Sequence, residues 1–181
     1  MNIEGTICSL RALEPEDIDV MYGWENDTDS WRVSGTVAPF SRHLLSKLID
    51  QQQFDIYATR QMRLIIESRA ERECGAEATC VAMGAVDLFE FDPQNLRAGV
   101  GIIVAPPYRK MGFALDALNS VERYAREFLQ LHQLWCSAGA DNEASLALFA
   151  KAGYTECGRR REWILSVDGA TDEVLMQKIL R

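Results

Sequence analysis

Between residues 104 and 114 the chain reads Val-Ala-Pro-Pro-Tyr-Arg-Lys-Met-Gly-Phe-Ala: an apolar strand end, a tight turn and the start of a long helix. That arrangement suits an anion. The first turn of a helix leaves amide N–H groups without intrahelical partners and carries partial positive charge. Together these seat a phosphate, and several adjacent amides suit a pyrophosphate. Gly112 lets the backbone approach a ligand closely, and Arg109 and Lys110 add charge at the rim. On spacing alone the alternative is a plain strand-to-helix turn, which α/β proteins use widely. The turn is neither G-x-x-x-x-G-K-[ST] nor G-x-G-x-x-G, so a P-loop is absent and a dinucleotide-binding oxidoreductase is disfavoured.

Other chemistries find little support. The five cysteines (Cys8, Cys74, Cys80, Cys136 and Cys157) are odd in number and include no C-x-x-C pair, so neither a zinc site nor a disulfide framework is expected. His43 and His132 lie far apart in sequence, which argues against a histidine triad or metal cluster. The formal net charge of -8 repels phosphate backbones, so no nucleic-acid partner is expected, and it favours a cationic acceptor such as a polyamine or basic peptide. Met1 to Leu10 has no basic start and no long apolar run, and no stretch approaches the length of a membrane span. The expectation is a reduced, cytoplasmic protein with no membrane partner and no metal.

The elements that must hold the turn follow from pattern. At 181 residues the chain fits one domain, 1–181, with a substantial core. Thr6 to Arg11 predicts a short strand. Glu14-Pro15-Glu16-Asp17 opens a helix to about Trp24, which Asn26 to Asp29 breaks. Ser41 caps a second helix to Gln51. Met62 to Glu67 and Val81 to Phe91 read as a hairpin whose loop is the charged stretch Ser68 to Thr79. Ala98 to Val104 ends in Gly-Ile-Ile-Val, as a buried central strand should. Phe113 to Leu129 is the clearest helix, with Ala114, Ala117, Leu118, Val121, Tyr124, Ala125 and Phe128 at three- and four-residue steps. A strand from Gln133 to Ala138, a helix from Asn142 to Lys151 ended by Gly153, and a hairpin of Tyr154–Val167 with Asp172–Leu180 turned at Asp168-Gly169 complete the order. The prediction is a mixed α/β fold: one twisted sheet of about seven strands flanked by about four helices.

The run Arg109-Lys110-Met111-Gly112-Phe113-Ala114 resembles the acetyl-CoA signature [R/Q]-x-x-G-x-[G/A] of the GCN5-related N-acetyltransferases (GNAT). Asn142 to Tyr154 resembles their second block, N-x-x-[S/A]-x-x-x-[Y/F]-x-K-x-G-[F/Y], with a helix and a strand between the two. Leu10 to Asp17, Trp24 to Asp27 and the closing Asp168-Gly169 hairpin are similar to the branch of ribosomal-protein-alanine and spermidine N-acetyltransferases. The likeness covers nearly the whole chain.

The resemblance implies an enzyme that moves an acetyl group from acetyl-CoA to a primary amine by direct attack in a ternary complex. It allows a homodimer. The pantetheine arm would lie in a gap beside Ile102, Ile103 and Val104, using main-chain hydrogen bonds, and the amides of Arg109, Lys110, Met111, Gly112, Phe113 and Ala114 would hold the pyrophosphate. Asn142 would contact the cofactor or serve as a plain N-cap; Lys151 reads as a solvated helix-end cation. Spermidine acetyltransferases place an acidic tyrosine where this chain has Phe149, which has no proton to give. Ser145 takes its place as the hydroxyl for the CoA sulfur, with a serine bonded to its own backbone as the alternative. Tyr154 is a core aromatic. Gly99 and Gly101 stand where some relatives carry a glutamate base; the resemblance points instead to Asp87, where related enzymes carry an acidic residue, with Glu90 on the other face of the strand and Glu162 as further carboxylates, and a plain surface carboxylate as the alternative for Asp87. Trp24, Trp31, Arg32, Phe40 and Trp163 are candidates for the acceptor pocket or for the core. A different class of function, an acyl-CoA-binding sensor without turnover, shares the same fold; release of free thiol on an amine separates the two.

Overall fold

The computed structural model describes residues 3–51, 55–68, 81–167 and 169–181. One eight-stranded sheet runs through them in the order β1-β2-β3-β4-β5-β6-β8-β7. The strands are β1 (Ile3–Glu4), β2 (Cys8–Ala12), β3 (Met62–Ser68), β4 (Ala82–Asp92), β5 (Arg97–Val104), β6 (Gln133–Gly139), β7 (Thr155–Ser166) and β8 (Gly169–Ile179). All neighbours are antiparallel except β5 and β6. That parallel pair needs a crossover, which the long helix α5 (Phe113–Glu127) supplies.

Helices cover both faces. Along β3, Leu64 and Ile66 point to one face and Ile65 to the other, as strand alternation requires. The first face carries the main core, with Ala117, Leu118, Val121 and Ala125 of α5 and Phe149 of α6 (Glu143–Lys151). The second packs Ile65 and Ala85 against Met21 of α1 (Ile18–Glu25) and Leu45 and Ile49 of α3 (Arg42–Gln51).

The expected mixed sheet is present, with corrections at short elements. Strand β1 brings the count to eight. It has two residues, too few for a periodic signal, and its hairpin partner β2 supplies its register. Two short helices were also not foreseen. In α2 (Thr28–Ser34), Asp27 accepts the Asp29 amide at 3.1 Å and Gly35, at φ 70°, ends the helix. In α4 (Ile56–Thr59), Asp55 accepts the Ala58 amide at 2.9 Å. Asp27, read as part of a helix breaker, is also a cap, because a short polar side chain that interrupts one helix satisfies the orphan amides of the next. Phe128 lies beyond the end of α5, 60% exposed and stacked on Tyr124, not on the core stripe. Strand β8 begins at Gly169, three residues earlier than expected. The charged loop after Ser68, and Asp168 of the last turn, lie outside the described residues.

Candidate active site

The two parallel strands are joined only briefly. The β5–β6 ladder runs Arg97↔Gln133, Ala98↔Leu134 and Gly99↔Trp135 and goes no further, although β5 continues to Val104 and β6 to Gly139. Beyond Gly99 the edge of β5 facing β6 is an open row of backbone donors and acceptors, and such groups seek partners. Ile102, Ile103 and Val104 lie on this stretch and are half-buried. Their side chains serve the core, Ile102 and Val104 on the α5 face and Ile103 on the other. The backbone between them is what the gap offers a ligand.

The turn expected to seat an anion follows at the end of β5. Ala105 donates to Met83 O at 2.8 Å, and a 3-10 turn over Pro106–Tyr108 closes with Tyr108 N to Ala105 O at 2.9 Å. Arg109 braces the turn: its amide reaches Pro106 O at 3.3 Å and its Nε reaches Val104 O at 2.9 Å. Lys110 (φ 64°) and Gly112 (φ 92°) both take left-handed backbone, which glycine tolerates and lysine does at some cost. The first helical bond of α5 is Asp116 N to Gly112 O, 3.1 Å. The amides of Phe113, Ala114 and Leu115 therefore have no acceptor within the helix. Lys110, Met111 and Gly112 are exposed around them.

Across the gap, α6 presents its first turn. Asn142 caps it, with Oδ1 accepting the Ser145 amide at 3.1 Å. Its side-chain oxygen thus has the cap role. Ser145 is half-buried, with its amide taken up by the cap. Because Ser145 sits in the first turn, the backbone-bonded arrangement of a mid-helix serine is not seen. Phe149 is 3% exposed and meets Tyr154 edge-on, with ring centroids 5.1 Å apart. Tyr154 is itself 3% exposed, a core aromatic, and burial, then the charge of Glu122, push its phenol far above its ordinary range. Lys151 is exposed.

On the second face a cleft of about 280 Å³ opens between α1, α3, β3 and β4, lined by Leu13, Met21, Phe40, Leu48 and Met62 among others. Its polar floor is a row of charges. Arg63 binds Asp87 through both nitrogens of its fork, Nε to Oδ1 at 2.7 Å and Nη2 to Oδ2 at 3.0 Å, and its Nη1 binds Glu25. Burial lowers the tendency of Arg63 to hold its proton, but the carboxylates of Asp87 and Glu25 outweigh this and keep it charged. Arg63 stands opposite Asp87, and Asp87 opposite Gly101. Gly101 is two residues past the last β5–β6 rung, so the charged row ends at the mouth of the gap.

Phe89 closes the floor, its ring edge-on to Trp135 with centroids 5.2 Å apart. Gly99 makes this possible: a Cβ there would stand 2.6 Å from Phe89 Cζ and closer still to Cε2. Beyond the ring pair lies a second cleft of about 500 Å³ that includes Glu90, Arg97, Cys157 and Arg160. Glu90 occupies a β-bulge at φ 47°, so Asp87 and Glu90 face different clefts.

Of the aromatic candidates, Phe40 lines the first cleft, fixed by Asn26, which accepts its amide at 2.8 Å and donates to its carbonyl at 3.1 Å. Trp24 packs on the second core. Trp31 donates its indole N–H to Glu25 O at 2.8 Å. Trp163 is 60% exposed beneath the Arg160 guanidinium, and the Arg32 side chain lies outside the described residues. Glu162 is exposed, with its amide bound to Asp172. Sequence reasoning missed Arg63 and gave Glu25 no role. The one available signal was an arginine inside the apolar strand Met62–Ser68. Burial pushes the Cys136 thiol up to about 12, and the Cys8 thiol higher still. Neither supplies a thiolate at neutral pH.

Comparisons with known proteins agree with this architecture. The Acetyltransferase (GNAT) domain family matches residues 8–155. The chain is similar to the spermidine N(1)-acetyltransferase of Vibrio cholerae, 23% identical over 96% of this chain and 92% of that one. It is also similar to the prophage-derived N-acetyltransferase YokL of Bacillus subtilis, 24% identical over 90% and 84%. Among solved structures, the Vibrio cholerae enzyme in complex with CoA and spermine superposes with a TM-score of 0.82 at 22% identity, covering 96% of this chain and 95% of that one. A dodecameric structure of the same enzyme aligns at 0.76. These superpositions show the fold. With the family match over most of the chain, they establish that it belongs to the GNAT acetyltransferases, enzymes that carry acetyl from acetyl-CoA to an amine.

Proposed function

We propose that the open edge of β5 takes the pantetheine arm of acetyl-CoA, that the amides around Gly112 take its diphosphate, and that the amine enters by the Glu25–Arg63–Asp87 cleft. One observation carries the reading: the charged row across β3, β4 and β5 ends at Gly101, just past the point where β5 and β6 part. Thioester and amine then meet from opposite faces of the sheet. Asp87 is the acceptor for the amine's proton. Its oxygens keep lone pairs beyond those bound by Arg63, and a neutral amine is the nucleophile. The hydroxyl of Ser145 donates to the sulfur as the thiolate leaves. A free backbone N–H on the β5 edge steadies the carbonyl oxygen, and Asn142 holds the turn that aims Ser145.

The acceptor reads as a primary amine with one positive charge and an apolar flank, such as a peptide α-amine. The two carboxylates and one guanidinium sum to a single negative charge, and the rest of the lining is mostly apolar. Spermidine is the second reading, favoured by the Vibrio cholerae relative. Residues 1–181 act here as one domain, self-associating as the dodecameric relative does, in a reducing cytoplasm where Cys8, Cys136 and Cys157 stay free. The test is thiol release from acetyl-CoA with short peptides and with spermidine, for the wild type and Ser145→Ala. Peptide amines should be preferred. Ser145→Ala should lower kcat about 10- to 100-fold with little change in acetyl-CoA KM. Binding of CoA without thiol release on any amine would favour a sensor, and an unchanged kcat would remove Ser145 from the chemistry.

A further inference from the structure

We infer that Asp116 is a positioning residue for the acyl donor: it ties the first turn of α5 to the tip of the β1–β2 hairpin and so holds the diphosphate seat in shape. The inference rests on reading that turn as the seat.

Asp116 is the fourth residue of α5. A carboxylate so near a diphosphate site opposes the ligand unless its charge is met elsewhere. Here it is met. The Oδ1 atom accepts the Thr6 amide at 2.9 Å, and Oδ2 accepts the Ile7 amide at 2.9 Å, the Cys8 amide at 3.0 Å and the Cys8 thiol at 3.2 Å. Three successive backbone N–H groups thus converge on one side chain more than a hundred residues away. Charge-assisted bonds of this kind are among the stronger ones a protein makes.

The rest of the hairpin tip is shaped to the same purpose. Gly5 leaves room for the carboxylate: a Cβ there would meet Asp116 Oδ2 and stand 2.8 Å from Ser120 Oγ. Ile7 Cδ1 lies 3.4 Å from where a Cβ on Gly112 would sit, so the tip touches the glycine of the seat as well as its helix. About two turns further along α5, Arg123 binds Glu4 O of β1. Only two rungs join β1 to β2, so the sheet alone holds this hairpin weakly and the stitches to α5 matter in both directions. The seat depends on two left-handed residues, Lys110 and Gly112. Such backbone persists where its surroundings over-determine it, and at Gly112 the hairpin tip supplies part of those surroundings through Ile7.

The test compares two ligands by calorimetry: acetyl-CoA, and S-acetylpantetheine, which has the thioester and arm but no diphosphate. In Asp116→Asn the amide nitrogen presents hydrogens to amides that need an acceptor. Acetyl-CoA should bind about tenfold more weakly, while S-acetylpantetheine binding and kcat at saturating acetyl-CoA stay as in the wild type. Thr6→Pro removes one of the three donors without touching α5. It should show the same split with a smaller loss, and it carries the comparison if Asp116→Asn does not fold. Unchanged acetyl-CoA affinity, or equal loss for both ligands, overturns the inference. If the wild type itself binds the two ligands equally, the diphosphate seat is wrong, an outcome distinct from failure of the anchor.

Discussion

Replacing Gly99 by alanine probes the point where the two strands part. The new methyl would sit 2.6 Å from Phe89 Cζ and 2.8 Å from Cδ2, against about 3.5–4.0 Å for carbon atoms at rest. The ring must therefore swing outward by about 1 Å. Its edge-on packing against Trp135 resists that movement. Overpacking of this kind costs about 1–3 kcal/mol, and for a chain of this length that lowers Tm by roughly 2–12 °C. Phe89 also lines the cleft proposed above for the amine, and a displacement of about 1 Å near the chemistry can cost about 100-fold in rate. The assay is a double-mutant cycle. Gly99→Ala and Phe89→Leu are made singly and together, with stability from urea titration and kcat/KM from thiol release. Leucine lacks the ring edge that collides, so the double variant should be more stable than the sum of the single losses predicts, by about 1 kcal/mol or more. Additivity within about 0.5 kcal/mol, or an alanine variant as stable and active as the wild type, would refute the proposed contact and with it the account of why glycine stands there.

Two further outcomes follow from the charged groups. Arg63→Met leaves Glu25 and Asp87 without their cation. Each of the three side chains is a fifth to a quarter exposed or slightly more, so the loss should fall at about 2–3 kcal/mol, below that of a fully buried pair; the cleft gains a net negative charge, and the KM for spermidine relative to a peptide amine should drop about tenfold. For Asp116, burial raises the carboxyl's pKa, but the amides of Ile7, Thr6 and Cys8 outweigh it and hold it below the usual carboxylate range. A lowered folded-state value contributes stability above the ordinary value near 3.8 that is lost as pH falls through the folded one. The stability gap between the wild type and Asp116→Asn should therefore narrow on acidification from about pH 5 to pH 2, as followed by urea midpoints.

Much of this was legible in the chain itself. The amphipathic run from Phe113, the glycine before it and the apolar strand ahead of it are local signals, and local signals fix a helix, its start and the unpaired amides of its first turn. The spacing of the two blocks around Arg109 and Asn142 carried the family. Short elements were not legible, because β1, α2 and α4 are each shorter than the window in which periodicity shows, and their stability comes from caps and partners. Asp87 was named as a candidate from the resemblance, but its company was not legible: Glu25, Arg63 and Asp87 are brought together by strand register and by the docking of α1, which no spacing in the sequence encodes. The same holds for the end of the β5–β6 ladder at Gly99 and Trp135, and for the grip of Thr6, Ile7 and Cys8 on Asp116. Sequence determined the parts that depend on neighbours along the chain. Tertiary structure decided where strands part and which distant charges meet, because those are settled by packing between segments far apart in the chain.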